Sequence, residues 1–287
     1  MTTDTRSNDK PNNVLFILLG LVIISLLFLG VNLIWSMVGI DWKETFYPAA
    51  RAVLGGRSPY SIPTFRNVPW TVIPLLPFAL LSEKIGGIAY FTATFLVYGM
   101  VAHRLKATPV ALIAFLLSPP VMYGMRMLNV DILVLIGFIL PAPIGLFFVI
   151  IKPQMGIAMV VFWMVEAWRN GGAREIIKTF LPVTVATLLS FVFFGNWQAG
   201  RQADLAGSFW NASLWPWAVP IGLVLVMLSL RDRRKEYAFS ASPFLSPYLA
   251  YHSWAGVLLG LIRRDFELIV AVLGMWLVAV IRLLGYG

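Results

Sequence analysis

Cysteine is missing from all 287 residues, and histidine occurs only as His103 and His252. The first absence excludes disulfides, thiolate metal sites and cysteine nucleophiles; the second argues against a histidine-rich metal or haem site. Charge is also scarce. Charged residues make up 12% of the chain, against about 25% in an ordinary soluble domain, while 59% is hydrophobic and the mean hydropathy is +0.82. With so little polar surface to face water, the chain reads as an integral membrane protein. Its formal charge of +9 does not point to nucleic acid. The basic residues stand singly between apolar runs, so no continuous basic face tracks a phosphate backbone, and membrane orientation explains the excess.

The run from Val14 to Met37 exceeds the roughly 20 residues that cross a bilayer core. It follows a polar tail, residues 1–13, expected to be disordered and cytoplasmic, and has no small-residue cleavage site, so it reads as an uncleaved anchor. Further apolar segments lie near 86–102, 108–125, 129–151, 154–168, 179–196, 215–230, 237–262 and 267–284. The expected fold is all-α, a polytopic transmembrane bundle of roughly nine to eleven helices forming a single domain over 14–287. Two stretches strain that count. Val72–Leu81 contains Pro74 and Pro77 and is too short to span, which suits a helix lying in the interface. Val130–Ile151 is cut by Pro141 and Pro143 into either a short hairpin or one broken span.

Short-loop Lys and Arg set the orientation. A cytoplasmic N-terminus puts Arg104, Lys106, Arg169, Arg174, Lys178, Arg231–Lys235, Arg263 and Arg264 on the cytoplasmic side without conflict. The opposite face receives the first loop, 41–85, with Asp41, Lys43, Glu44, Arg51, Arg57 and Arg66, then Arg126, Asp131, Lys152 and Arg201. Ionisable groups near bilayer depth are costly and mark functional candidates.

The first outer loop should begin with an amphipathic helix that buries Phe46, Ala50, Val53 and Leu54 and ends at Gly55-Gly56. Asp41 before it is either a general base over a membrane-embedded cleft or a helix N-cap. Lys152-Pro153-Gln154 offers an ammonium and an amide to a phosphate; the alternative is a lysine snorkelling at a helix end. Asn129 and Asp131 either bind substrate hydroxyls, or Asp131 pairs with Arg126 and caps its own helix. His252 is a phosphate donor or acid, or a member of an aromatic belt with Tyr248, Tyr251 and Trp254. His103 reads as structural. Asn211-Ala-Ser213 matches a glycan acceptor, a pattern short enough to arise by chance.

Taken together, these pieces resemble the GT-C superfamily of membrane glycosyltransferases, and within it glycosyltransferase family 87, the polyprenol-phosphate-mannose-dependent mannosyltransferases. The resemblance rests on Asp41, Phe46-Tyr47, Ala49-Ala50, Gly55-Gly56 and Pro59-Tyr60. It continues through Trp70–Leu81, Ser118-Pro119-Pro120, Asn129-Val-Asp131, Lys152-Pro153-Gln154 and Ser246-Pro247-Tyr248 with His252. It implies a GT-C-like fold at a bacterial inner membrane and an inverting, metal-independent sugar transfer on the extracytoplasmic face, with no cofactor. The donor would be a polyprenyl-phosphate sugar and the acceptor a glycolipid or glycan. Asp41 would deprotonate the acceptor, while Lys152, with Gln154 and His252 or Arg51, would stabilise the phosphate; Arg126, Asn129, Asp131 and Tyr60 complete the expected site. The chain departs from the family in length, in Asn129, in Val68-Pro69-Trp70 and in the short segments before Lys152. Those departures leave a second reading, a catalytically inactive scaffold or a subunit of a larger membrane complex. A transporter would require matching broken helices in two related halves, and the sequence has only one such break.

Overall fold

The computed structural model describes residues 26, 30, 33, 35–197 and 207–284. The tail, almost all of the expected span Val14–Met37 and the loop around Arg201 lie outside the described residues. Among those described the chain is helical, with one isolated β-bridge, between Asn211 and Ala250.

A π-helical turn at Trp42–Phe46 runs into α1 (Tyr47–Leu54), which stops at Gly55 with Gly56 in the left-handed region. The expected helix is present, but its buried face is Phe46, Ala49, Ala50 and Ala52, whereas Leu54 is exposed. Alanines fill this face because the segment Pro69–Ala79 packs closely against it. That segment is a 3-10 helix through Leu75 followed by one α-helical turn.

α2 (Glu83–Arg104) starts at Ser82, whose hydroxyl accepts the Ile85 amide. α3 (Pro109–Leu116) starts in the same way at Thr108. α4 (Pro119–Met127) is bent 51° from α3 and ends at Leu128 in the left-handed conformation. The proline-cut segment forms α5 (Asp131–Ile139) and α6 (Ala142–Val149), which fold back on one another as a hairpin. Glycine permits that approach: a Cβ on Gly145 would sit 2.7 Å from the Gly137 carbonyl oxygen and 2.6 Å from the Trp163 ring.

α7 (Pro153–Phe194) follows directly and breaks at Gly171-Gly172, where φ at Gly172 is +59°. Residues 173–178, expected in a loop, are therefore helical. α8 (Val219–Asp232) and α9 (Lys235–Phe244) pack together and against α7. The apolar segment 237–262 is interrupted after α9 by a loop and a 3-10 turn, Tyr251–Trp254, before α10 (Ala255–Gly260). α11 (Asp265–Leu283) closes the described chain.

Two of these helices, α2 and α7, are long and apolar enough to cross a membrane, and α3 with α4 makes a third if the bent pair acts as one span. Among the described residues length and apolarity thus give two or three spans, and proline divides segments such as 130–151 into helices too short to cross. Leucine, valine and phenylalanine on the outside of the long helices, such as Leu181, Val192, Phe193, Leu223 and Leu273, are exposed.

Polar groups collect at opposite ends of the first half of α7. Lys152 stands at its start; Glu166, fourteen residues or about 21 Å further along a regular helix, holds Arg233 at 2.6 Å and Arg169 at 3.1 Å. Arg263 joins that second cluster, its Nε donating to the Leu105 carbonyl at 3.0 Å and its guanidinium facing Glu236 at 3.7 Å.

Candidate functional site

At the Lys152 end the structure contains a cleft of about 1080 Å³, and Asp41, Asn129, Lys152, Gln154 and His252 all line it. Residues from distant parts of the sequence are brought there by the first outer loop, the α4–α5 turn, the start of α7 and the loop before α10.

Asp41 is half-buried at the cleft wall. The residue after it, Trp42, is fully buried and donates its indole N–H to the Glu83 carbonyl at 2.9 Å, which fixes this end of the loop. The Asp41 side chain makes no capping bond and instead accepts from the Asn129 amide. Asn129 is held on every side. Its Oδ1 accepts the Val130 N–H at 2.7 Å and its carbonyl accepts the Tyr90 hydroxyl at 3.1 Å, so its NH2 is turned to Asp41. The Gly39 amide also donates to the Arg126 carbonyl at 2.7 Å, tying the Asp41 segment to the end of α4.

Asp131 lies beneath the cleft rather than in it. It is 1% exposed, stands in the first turn of α5 and holds Lys152 and His252 at once. Lys152 Nζ pairs with one carboxylate oxygen, while His252 Nδ1 at 2.5 Å and the Ser253 hydroxyl at 2.8 Å share the other. The helix N-terminus favours the negative charge there. Asp131 pairs with these groups and not with Arg126, and makes no cap of its own; the expectation that it touches substrate hydroxyls is corrected by its burial. Because Nδ1 faces Asp131, Nε2 is the ring nitrogen left to the cleft. Tyr123 stacks on the imidazole, with 6.0 Å between centroids and 22° between planes.

Three expected site residues stand elsewhere. Arg51 is exposed and donates to the Ala79 carbonyl at 3.4 Å, bracing α1 against the Pro69–Ala79 segment. Arg126 is exposed on α4 and is not among the residues that line the cleft. Tyr60 stacks on Trp197 at 5.8 Å and donates its hydroxyl to the Asn67 carbonyl at 2.9 Å, so it supports a lining residue instead of contacting the cleft.

The cleft also contains residues that the sequence reading passed over as site members: Arg66, Asn67, Tyr123, Trp210 and Tyr248. The only sequence signal for Arg66 is its place among the charges of the first loop. Asn211 is a clamp, not a free glycan acceptor. Its Nδ2 donates to the Pro247 carbonyl at 3.0 Å and its Oδ1 accepts the Leu249 and Ser213 amides at 3.0 Å, which fixes the Tyr248 loop. Burial, then the neighbouring Asp41 and Asp131 carboxylates, push the Tyr248 phenol above its ordinary pKa and keep it a neutral donor.

Chemically, the arrangement couples an accessible carboxylate to a fixed cationic centre across one cavity with aromatic walls. Among the described residues no cluster of histidine and carboxylate side chains large enough to hold a metal ion occurs. No protein-family model matches the chain, and neither does any curated protein or solved structure.

Proposed function

We propose that the chain is a polytopic membrane protein that transfers a sugar, mannose or another hexose, from a polyprenyl-phosphate carrier to an acceptor hydroxyl at the extracytoplasmic face. The observation that carries this reading is the cleft shared by Asp41, Lys152 and His252, the last two joined beneath it by Asp131. A glycosyl transfer with a phosphate leaving group needs one base and fixed positive charge, and those two elements face one cavity here.

In this reading the acceptor hydroxyl gives its proton to Asp41 as its oxygen attacks the anomeric carbon. The bond from that carbon to the phosphate oxygen breaks with inversion. The electron pair leaves on the lipid phosphate, where Lys152 and His252 Nε2 meet the developing charge and Gln154 adds an amide donor. Asn129 orients the base. Asp131 is a positioning residue: buried and bonded to both cations, it fixes their spacing before substrate arrives. Tyr123 and Trp210 supply flat apolar faces suited to a sugar ring.

Support for the membrane assignment comes from the apolar exterior and from the polar clusters at the two ends of the first half of α7, about 21 Å apart across an otherwise apolar helix. The far end gathers Arg169, Arg233, Arg234 and Arg263. By the positive-inside rule that end is cytoplasmic and the cleft is extracytoplasmic.

The direct test incubates the purified protein with a labelled polyprenyl-phosphate sugar and follows free polyprenyl phosphate. We expect release that disappears in Asp41→Asn. A protein that binds the lipid phosphate yet never releases it, with or without candidate acceptors, would instead support the inactive-scaffold reading.

A further inference from the structure

We propose that Arg66 and Tyr248 form a second anion site in the cleft, which binds a phosphate or carboxylate on the acceptor, so that the acceptor is an anionic molecule. Its assignment to the acceptor rests on the transferase reading; the anion site itself does not.

At the base of the cleft Lys152 and His252 already share a carboxylate, since Asp131 holds both. Arg66 is different. It lines the same cleft, is half-buried, and makes no hydrogen bond or ion pair with any described residue. A guanidinium that has lost part of its hydration without gaining a partner is poised for an anion it can grip with two N–H groups.

Its base is rigid. Phe65 and Val68, on either side of the Arg66-Asn67 pair, are buried. Asn67 is held by Tyr60 and donates to the Ile151 carbonyl at 3.2 Å, one residue before Lys152. Thr64 donates to the Glu44 carbonyl at 2.8 Å, linking the same loop to the helical turn that follows Asp41. The arginine therefore projects from a loop anchored to both halves of the site, which lowers the entropy cost of binding.

Tyr248 lines the same cleft from the loop before the Tyr251–Trp254 turn. The loop is clamped by Asn211 and by Ser246, whose hydroxyl donates to the Tyr248 carbonyl at 2.6 Å. The phenol has no hydrogen-bond partner among the described residues and feels the charge of Arg66. The Thr64 bond to the turn after Asp41 ties the Arg66 loop to the side of the base. A donor with one phosphate uses the Lys152–His252 centre. An anion held beside Asp41 arrives with the other substrate.

The test measures lipid retention on the full chain by native mass spectrometry, using phosphatidylglycerol, diacylglycerol with the same acyl chains, and polyprenyl phosphate as separate probes. The wild type should retain phosphatidylglycerol over diacylglycerol. Arg66→Gln and Tyr248→Phe should each weaken phosphatidylglycerol retention by about tenfold or more, as expected for loss of a charge-assisted bond, and leave polyprenyl phosphate within about twofold. Arg66→Lys should recover part of the loss. Competition by glycerol phosphate separates a soluble anionic acceptor from a lipid headgroup. Unchanged phosphatidylglycerol retention in both variants overturns the proposal, as does an equal loss of polyprenyl phosphate, which would assign Arg66 to the donor. A wild type that retains no polyprenyl phosphate defeats the transferase reading, while the phosphatidylglycerol arm still decides whether the anion site exists.

Discussion

Replacing Asp131 by asparagine removes one negative charge and almost no volume, yet it should be among the most damaging single changes in the protein. Lys152 is 8% exposed and His252 4%, and both take Asp131 as their carboxylate partner. An asparagine side chain retains one carbonyl acceptor for Ser253 or His252, but its NH2 group would point a donor at a donor. Stripping the counter-ion from a buried pair costs about 3–5 kcal/mol. SDS-titrated unfolding in mixed micelles, followed by tryptophan fluorescence, reads this loss directly. The double variant Asp131→Asn/Lys152→Met should recover most of it and return to within about 1–2 kcal/mol of the wild type, because the stranded charge is gone and methionine fills the space of the lysine stem. A single variant within about 1 kcal/mol of the wild type, or losses that add without coupling, would refute the claim that Asp131 organises the site.

Asp41→Asn should lower sugar transfer by at least about a hundredfold, the usual scale for losing a positioned base, while unfolding in the same micelles barely changes because the Asn129 contact can persist. Gly145→Ala should destabilise by about 1–3 kcal/mol through collision with the Gly137 carbonyl and the Trp163 ring, whereas Gly99→Ala, where a Cβ meets nothing within 4 Å, should stabilise by about 0.5–1 kcal/mol. With no native cysteine as background, an impermeant maleimide applied to intact cells should label Arg57→Cys at once and Arg174→Cys only after permeabilisation; the reverse pattern would put the cleft in the cytoplasm.

The sequence disclosed which polar residues meet at the cleft more readily than how they are joined. Asp41, Asn129, Lys152, Gln154 and His252 stood out because polar groups among apolar helices have few uses, and all of them reach one cleft. Pro141 and Pro143 mark the break but leave a hairpin or a broken span open, and the structure has the hairpin; the end of α1 is legible from Gly55-Gly56. Asp131 was assigned to the wrong neighbours because Arg126 lies close in sequence, while its true partners, Lys152 and His252, are 21 and 121 residues away; only tertiary packing brings them together. Arg51 and Tyr60 are site residues only by the family resemblance, and their hydrogen bonds brace the first loop. Arg66 and Tyr248 were underweighted because an isolated arginine and a tyrosine in an aromatic belt are ordinary at a membrane surface. The span count was the least legible feature: segments of apolar composition fold into helices shorter than the bilayer wherever proline or glycine interrupts them.

The central claim is that Asp41 and the Lys152–His252 centre address one ligand from two sides of one cleft. The most direct measurement is a cryo-EM map of the full chain in nanodiscs with polyprenyl phosphate bound. The account predicts phosphate density against Lys152 Nζ and His252 Nε2, with Asp41 facing the same open volume where a sugar would lie. Phosphate density at any other place, or an Asp41 carboxylate separated from that volume by packed side chains, would contradict it.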